Sequence, residues 1–375
     1  MEPGQESEAR FPERPRGVSH DADTNVGTTA VREGFAFDEA ALDAWMHAHV
    51  AGYAGPLKVT QFKGGQSNPT YQLITPGKTY VLRRKPPGNL LKGAHAVERE
   101  AKVLVGLEQA QFPVAHVYAL CTDDTVIGSW FYIMDMVEGR IFWDATVPGV
   151  SNTERAAIFD AMNAAMAQLH SVDYAAVGLG DYGRPGNYFE RQISRWSQQY
   201  LDDADAGRDP NMDRLIAWLP SHIPTDDDAT SVIHGDFRID NMIFHPTEPR
   251  VLAVLDWELS TLGHPGADFA YNAMMYRMPP TIVAGLARAD IAALGIPDEA
   301  EYLAAYCART GRKSMPGYDF YIAFNFFRLA AIFHGIKGRV IRGTASSVQA
   351  QDRVAVLPQL MEIAWQKAIR AGAAA

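Results

Sequence analysis

Three strand-like runs, Leu57–Phe62, Thr70–Thr75 and Thr79–Arg84, crowd into one short stretch, and almost everything beyond Thr153 follows helical periodicity. That division calls for two structural units, a small antiparallel sheet followed by a helical body. The last two runs are joined by the turn-forming pair Pro76-Gly77. Ahead of the sheet, Phe37–Val50 reads as a helix capped by Asp38. After it, Ala94–Ala110 carries Val97, Ala101, Leu104 and Leu107 on one stripe, and Trp130–Val137 is a further strand ended by Glu138-Gly139. The predicted helices of the second unit are Thr153–His170, Tyr188–Leu201, Asp213–Trp218, Ala267–Met278, Glu299–Ala308, Tyr318–Arg339 and Val356–Ala371. Residues 1–34 mix Glu, Arg, Pro, Gly and Thr without apolar periodicity, so the expectation there is a flexible tail.

One segment of the helical unit breaks the pattern. Met242–Phe244 and Val251–Asp256 flank a Pro-containing turn and read as a β-hairpin. Just before it stands His234-Gly235-Asp236-Phe237-Arg238-Ile239-Asp240-Asn241, entered from the apolar pair Val232-Ile233. Asp236 and Asn241 can therefore face one cleft from the two ends of a short loop, and hairpin pairing brings Asp256 back toward Asn241. A carboxylate and an amide oxygen placed together are hard ligands suited to Mg²⁺, which completes its shell with water and nucleotide phosphates. Asp236 is then free to take a proton from an attacking hydroxyl.

Composition removes several other functions. Lys and Arg number 34 against 44 Asp and Glu, a net charge of −10, which disfavours a sequence-independent grip on nucleic acid or an anionic membrane. Any anionic ligand must be held by a local site or a metal. Cys121 and Cys307 are the only cysteines and form no spaced ligand pair, so neither a zinc site nor a disulfide framework is expected. Met1 is followed by charged and Pro-rich residues rather than an apolar run, and the expected location is the cytoplasm. The aromatic segment Tyr318–Gly335 contains Asp319, Asn325, Arg328 and His334, which marks a buried core helix rather than a membrane span.

The order His-x-Asp-x-x-x-x-Asn, hairpin, Asp resembles that of the kinase-like phosphotransferases. His234-Gly235-Asp236 with Asp256-Trp257-Glu258 is similar to the aminoglycoside phosphotransferase and choline kinase group. Tyr80-Val81-Leu82-Arg83-Arg84-Lys85-Pro86-Pro87-Gly88 and His264-Pro265-Gly266-Ala267-Asp268 further resemble the subgroup akin to the kinase domains of acyl-CoA dehydrogenase 10/11 type proteins. The resemblance runs from about Phe35 to the C-terminus. It implies a bilobal, protein-kinase-like α+β fold, with an antiparallel-sheet nucleotide-binding lobe over 35–138. A mainly helical lobe over 139–375 would hold the catalytic loop and acceptor site. The chain departs from the protein kinases in having no Arg after the loop His, no Asp-Phe-Gly and no segment ending in Ala-Pro-Glu, so a small-molecule substrate is expected.

The implied roles follow. Asp236 is the catalytic base, Asn241 and Asp256 hold the metal, and the cofactors are ATP and Mg²⁺. Gly64-Gly65-Gln66-Ser67-Asn68 lies between two strands, where its backbone, at Gly65, Ser67 and Asn68, can cover phosphates; the alternative is an ordinary turn. Arg83 stands where kinase-like folds keep a Lys, with Val81 on the same strand face, and Arg84 or Lys85 are substitutes for the phosphate contact. Glu100 falls within the apolar stripe of its helix and needs a cation, for which Arg83 is the natural partner; the alternative is a half-exposed edge position. Met134–Val137 would connect the lobes, with backbone groups of Asp135 and Val137 meeting adenine, or else form an edge strand. Asp268 and His234 are expected to brace the loop. Arg328, Lys337, Arg339 and Arg342 suit an anionic or partly apolar acceptor, such as a hydroxyacyl or hydroxyacyl-CoA-like compound, or else form a solvated helix face. Three other readings remain at this point: an aminoglycoside or choline-like kinase, a nucleotide-binding pseudokinase, and a metal-dependent hydrolase. The partners are a nucleotide and a small hydroxylated substrate, and the oligomeric state is open.

Overall fold

The early strands form one antiparallel sheet that is wider than the sequence pattern announced. The computed structural model describes residues 27–63, 68–86, 95–225, 229–280, 285–344 and 350–374. Strands β1 (Thr28–Thr29), β2 (Lys58–Phe62), β3 (Thr70–Ile74), β4 (Thr79–Arg84), β5 (Val117–Cys121) and β6 (Phe131–Asp135) lie in the order β1-β2-β3-β4-β6-β5. The stretch read as a tail through Gly34 thus contributes an edge strand, Thr28 facing Phe62 and Arg32 N donating to Gln61 Oε1 at 2.9 Å.

Alternation along β3 and β4 divides the sheet into two faces. Tyr71, Leu73, Tyr80, Leu82, Phe131 and Ile133 pack on helix α1 (Glu39–His49) through Leu42 and Met46. Asp38 caps α1 as expected, its Oδ1 accepting from the amides of Ala40 and Ala41 at 2.9 and 3.0 Å. Tyr132 is on the opposite face, against α2 (Val97–Gln109), whose Val97, Ala101, Leu104 and Leu107 continue into the core of the helical lobe. Arg99 ties α2 to Tyr182 twice: its Nη2 donates to Tyr182 O at 2.8 Å, and its guanidinium lies over the Tyr182 ring. α2 is therefore fixed against the helical lobe while it faces the sheet.

The second lobe contains α3 (Asn152–His170), α4 (Tyr188–Asp202), α5 (Pro210–Trp218), α6 (Pro265–Ala273), α7 (Ile291–Leu294), α8 (Glu299–Arg309), α9 (Tyr318–Ile341), α10 (Ala350–Ala355) and α11 (Leu357–Arg370). α9 is apolar nearly all round, and it packs against α4, α6, α10 and α11. Two of its polar residues find partners inside the protein: Asn325 donates to Ala267 O, and His334 Nε2 bonds Gly207 O, both at 2.8 Å. No described helix is long and apolar enough to cross a membrane.

The predicted hairpin is β8 (Met242–Phe244) paired with β9 (Val251–Val254), Met242 opposite Val254. A second antiparallel pair, β7 (Ser231–Ile233) with β10 (Thr261–Gly263), brackets the hairpin in sequence. The connection between lobes is stitched to the hairpin by reciprocal Arg140 and Phe244 main-chain bonds of 2.8 Å. Gly139 makes this approach feasible, because a Cβ there would lie 2.2 Å from Phe244 O. Backbone cannot yield as a side-chain tip can, so Gly139→Ala is expected to destabilise the protein by about 1–3 kcal/mol, measured by urea unfolding.

Candidate active site

Backbone pairing builds the site before any side chain acts. Leu255 N donates to Asn241 O at 2.8 Å, which sets Asp256 beside Asn241. Asp256 then turns the chain with φ 63 and ψ 63, a left-handed conformation that Asp tolerates better than most residues. That turn aims its carboxylate at β4, and Arg83 Nη2 meets Oδ1 at 2.8 Å.

Arg83 bridges the lobes. Its Nε lies 2.6 Å from Glu100 Oε2, and Nη2 also lies 3.7 Å from Glu258 Oε2. The inward placement of Glu100 deduced from the helix wheel is therefore the observed one. Glu100 also accepts from Asn68 Nδ2 at 2.6 Å and from Tyr132 OH at 3.2 Å. Burial pushes its carboxyl upward against the pull of Arg83, Tyr132 and Asn68. Burial likewise disfavours the Arg83 cation, but Glu100, Tyr132, Asp256 and Glu258 outweigh it and hold the guanidinium charged.

The loop from His234 to Asn241 is held from beneath. His234 Nε2 donates to Leu255 O at 2.8 Å and its Nδ1 accepts from Asp236 N at 3.2 Å. Asp268, on the first turn of α6, accepts from His234 N and Gly235 N, each at 2.8 Å, and faces His170 Nε2 at 3.2 Å. Burial raises the Asp268 carboxyl, yet the bond and charge of His170, with the charge and amide of His234, bring it below the usual range. Both residues brace the loop, as the sequence suggested.

Asp236 stands at the open side. Its Oδ1 accepts from Tyr271 OH at 2.5 Å, with Arg238 Nη1 at 3.4 Å, and its Oδ2 accepts from Asn241 Nδ2 at 3.1 Å. Burial, then the charge on Asp236, raise the Tyr271 phenol, so it stays protonated as a donor. Arg238 is shared with Asp240 through bonds of 3.0 and 2.9 Å. Because the amide nitrogen of Asn241 is committed to Asp236, Oδ1 is the end that remains for a cation. Asp256 follows Leu255, whose amide bonds Asn241 O, and with Oδ1 held by Arg83 its Oδ2 is the second oxygen on offer. Two hard oxygen donors of this kind fit Mg²⁺.

The remaining predicted residues divide. Gly65 and Ser67 lie outside the described residues. Asn68 is buried, joining Glu100 to His95 Nδ1 at 2.9 Å. Val81 faces Met134 across the sheet, on the same side as Arg83. Asp135 pairs with Tyr80, and its carboxylate is tied to Lys78 Nζ at 2.8 Å and to Tyr118 OH at 2.5 Å. Its main-chain amide donates to His116 O at 2.9 Å, so only its carbonyl oxygen could meet a ligand. Val137 follows in the connection between lobes. Arg84 is directed to the α1 side, donating to Ser129 Oγ at 2.8 Å over Phe37, and Lys85 pairs with Glu98 at 2.8 Å. Neither takes the bridging place of Arg83. Arg342, grouped with Arg328 by sequence, is instead paired with Asp203 and Asp205 at 2.7 and 3.0 Å. Sequence reasoning missed Tyr271 and Arg238. The signal for Tyr271 was its position three residues after Asp268, which puts both on one face of α6.

A sheet lobe and a helical lobe meeting at a loop of Asp236, Asn241 and Asp256 define a protein-kinase-like phosphotransferase fold. The chain belongs to the phosphotransferase enzyme family, whose model matches residues 58–324. A Mus musculus protein named acyl-CoA dehydrogenase family member 10 is 42% identical over 348 residues, covering 92% of this chain and 32% of that protein. The chain thus spans about a third of that relative's length. The crystal structure of a Ralstonia eutropha protein, named there as a candidate aminoglycoside phosphotransferase, superposes with a TM-score of 0.83 at 54% identity. It covers 89% of this chain and 99% of its own. Choline kinase from Cryptosporidium parvum shares the fold, with a TM-score of 0.57 at 12% identity over 89% of this chain and 96% of its own.

Proposed function

We propose that this protein transfers the γ-phosphate of ATP, with Mg²⁺, to a hydroxyl of a small hydroxyacyl or hydroxyacyl-CoA-like acceptor. The observation that carries the reading is the convergence of Asp236, Asn241 and Asp256 on one short loop and hairpin, opposite the Arg83–Glu100 pair. Residues 35–138 serve as the nucleotide lobe, and 139–375 carry the catalytic loop and acceptor site.

Val81 and the backbone of Asp135 and Val137 receive the adenine, and the segment with Gly65 and Ser67 covers the phosphates. Asn68 acts one step back by orienting Glu100. Glu100 in turn fixes Arg83, whose fork exchanges Asp256 for a nucleotide phosphate. Asn241 and Asp256 hold Mg²⁺, which when bound neutralises phosphate charge. Asp236 accepts the hydroxyl proton, while Tyr271 and Asn241 fix the orientation of its two oxygens. Glu100→Gln keeps the side chain's shape and removes the charge anchoring Arg83. Its expected effect is about 10-fold weaker Mg·ADP binding by calorimetry.

The acceptor class is supported by the relative named as an acyl-CoA dehydrogenase family member and by the cations Arg238 and Arg328 around Asp236. An aminoglycoside is a polycation and calls for acidic walls. The Ralstonia protein's name favours that second reading. The test is acceptor-stimulated ADP release with Mg·ATP over hydroxyacyl-CoA thioesters, hydroxy acids, choline-like alcohols and aminoglycosides. Stimulation by the first two classes is expected. Stimulation by aminoglycosides alone replaces the acceptor assignment, and nucleotide binding without turnover on any acceptor favours a pseudokinase.

A further inference from the structure

Arg328 is a buried cation met by a main-chain carbonyl and an aromatic ring rather than by a carboxylate among the described residues. It reaches from α9 to the catalytic loop, where Nη2 donates to Gly235 O at 3.2 Å, and its guanidinium lies 5.4 Å from the centre of the Tyr271 ring. Its Nε has no hydrogen-bond partner, and among the described residues no carboxylate is paired with it. A desolvated guanidinium without a counter-charge is unfavourable, and such groups gather where a ligand supplies the missing charge. Tyr271 joins this cation to the reaction centre, since its hydroxyl donates to Asp236 Oδ1 at 2.5 Å. An anion on Arg328 would thus stand one side chain away from the proton-accepting carboxylate.

Arg353 adds to the positive field. It lies on α10, which packs against α9, is half-buried, and has no paired carboxylate among the described residues. Burial and the nearby charge of Arg238 both disfavour its cation.

Resting on the phosphotransferase reading, we infer that Arg328, with Arg353 on the helix packed beside its own, is an anion-binding acceptor subsite, so the acceptor carries an anionic oxygen group held beside the catalytic loop. A planar guanidinium with two donor edges suits a carboxylate or a phosphate. The carboxylate of a hydroxy acid and the phosphates of a CoA thioester are two sources of that chemistry.

The test compares four acceptors: a short hydroxycarboxylate, its neutral methyl ester, its CoA thioester and its uncharged pantetheine thioester. Each is assayed for phosphate transfer, and for equilibrium binding by calorimetry without nucleotide, on wild type, Arg328→Lys, Arg328→Met and Arg353→Gln. The expected result is a preference of roughly 10-fold or more in kcat/KM for an anionic acceptor over its neutral counterpart, carried by KM and lost in Arg328→Met. Arg328→Lys restores part of that preference, and Arg353→Gln weakens it. Preference for the free acid assigns the anion to a carboxylate, and preference for the CoA thioester assigns it to CoA phosphates. Equal use of charged and neutral acceptors by wild type overturns the subsite, as does a loss in Arg328→Met that falls equally on both. Should Arg328→Met not fold, the lysine variant and Arg353→Gln read the same ratio. Arg328-dependent binding of the acid without phosphate transfer would retain the subsite and defeat the phosphotransferase reading instead.

Discussion

Asp236→Asn is expected to lower kcat for phosphate transfer by about 10²–10⁴-fold, because it removes the group proposed to accept the hydroxyl proton. The change preserves size, and Asn241 Nδ2 keeps its 2.9 Å bond to the main-chain oxygen of residue 236, so the loop retains its path. In the proposed arrangement the nucleotide is held elsewhere, by Arg83 and the proposed metal ligands Asn241 and Asp256. The affinity for Mg·ADP should therefore stay within about 3-fold of wild type, a difference worth less than 1 kcal/mol. A loss of kcat with nucleotide affinity preserved is the signature of a base. Comparable losses of both would instead make Asp236 part of the nucleotide site, and unchanged kcat would remove it from the chemistry.

Asp268→Asn is expected to cost about 3–5 kcal/mol of folding stability, more than an exposed ion pair could account for. The carboxylate answers two main-chain donors at 2.8 Å and His170 at 3.2 Å in a fully dry position. An amide of the same shape turns one accepting oxygen into an NH₂ that faces another donor. The pH dependence has a definite sign. The folded-state carboxyl is depressed, so its contribution is complete above the ordinary Asp value of about 3.9 and is lost as pH falls toward the lower folded value. Urea unfolding of wild type and variant should show the widest gap near neutrality, narrowing below about pH 3.9. A gap that is small or independent of pH would mean that the loop is held by other contacts.

Most of this architecture was legible in sequence because the decisive elements are long or strongly patterned. α9 shows itself by an apolar run that no exposed helix would tolerate, and α1 by Asp38 before an apolar stripe. Glu100 was legible for the opposite reason, as a charge on an apolar face that required a cation. What escaped were short elements and contacts through space. β7 and β10 have three residues each, too few for alternation to register, and each is buried or nearly so along its length. β1 and β5 borrow their order from neighbouring strands. Tyr271 and Arg328 meet Asp236 and Gly235 from α6 and α9, contacts that only the packing of those helices on the loop creates; the spacing of Tyr271 from Asp268 marks a shared face but not the partner. Gly139 is similar, since its need for a missing Cβ arises only when the hairpin folds against it.

The central claim is most directly tested by incubating the protein with Mg·ATP and a hydroxyacyl acceptor, then examining the acceptor by mass spectrometry and phosphorus NMR. The predicted result is a phosphate ester on the acceptor hydroxyl, formed with stoichiometric ADP, absent when Mg²⁺ is chelated, and nearly absent with Asp236→Asn. ATP consumed without an esterified acceptor, or ester formed equally well by Asp236→Asn, would contradict it.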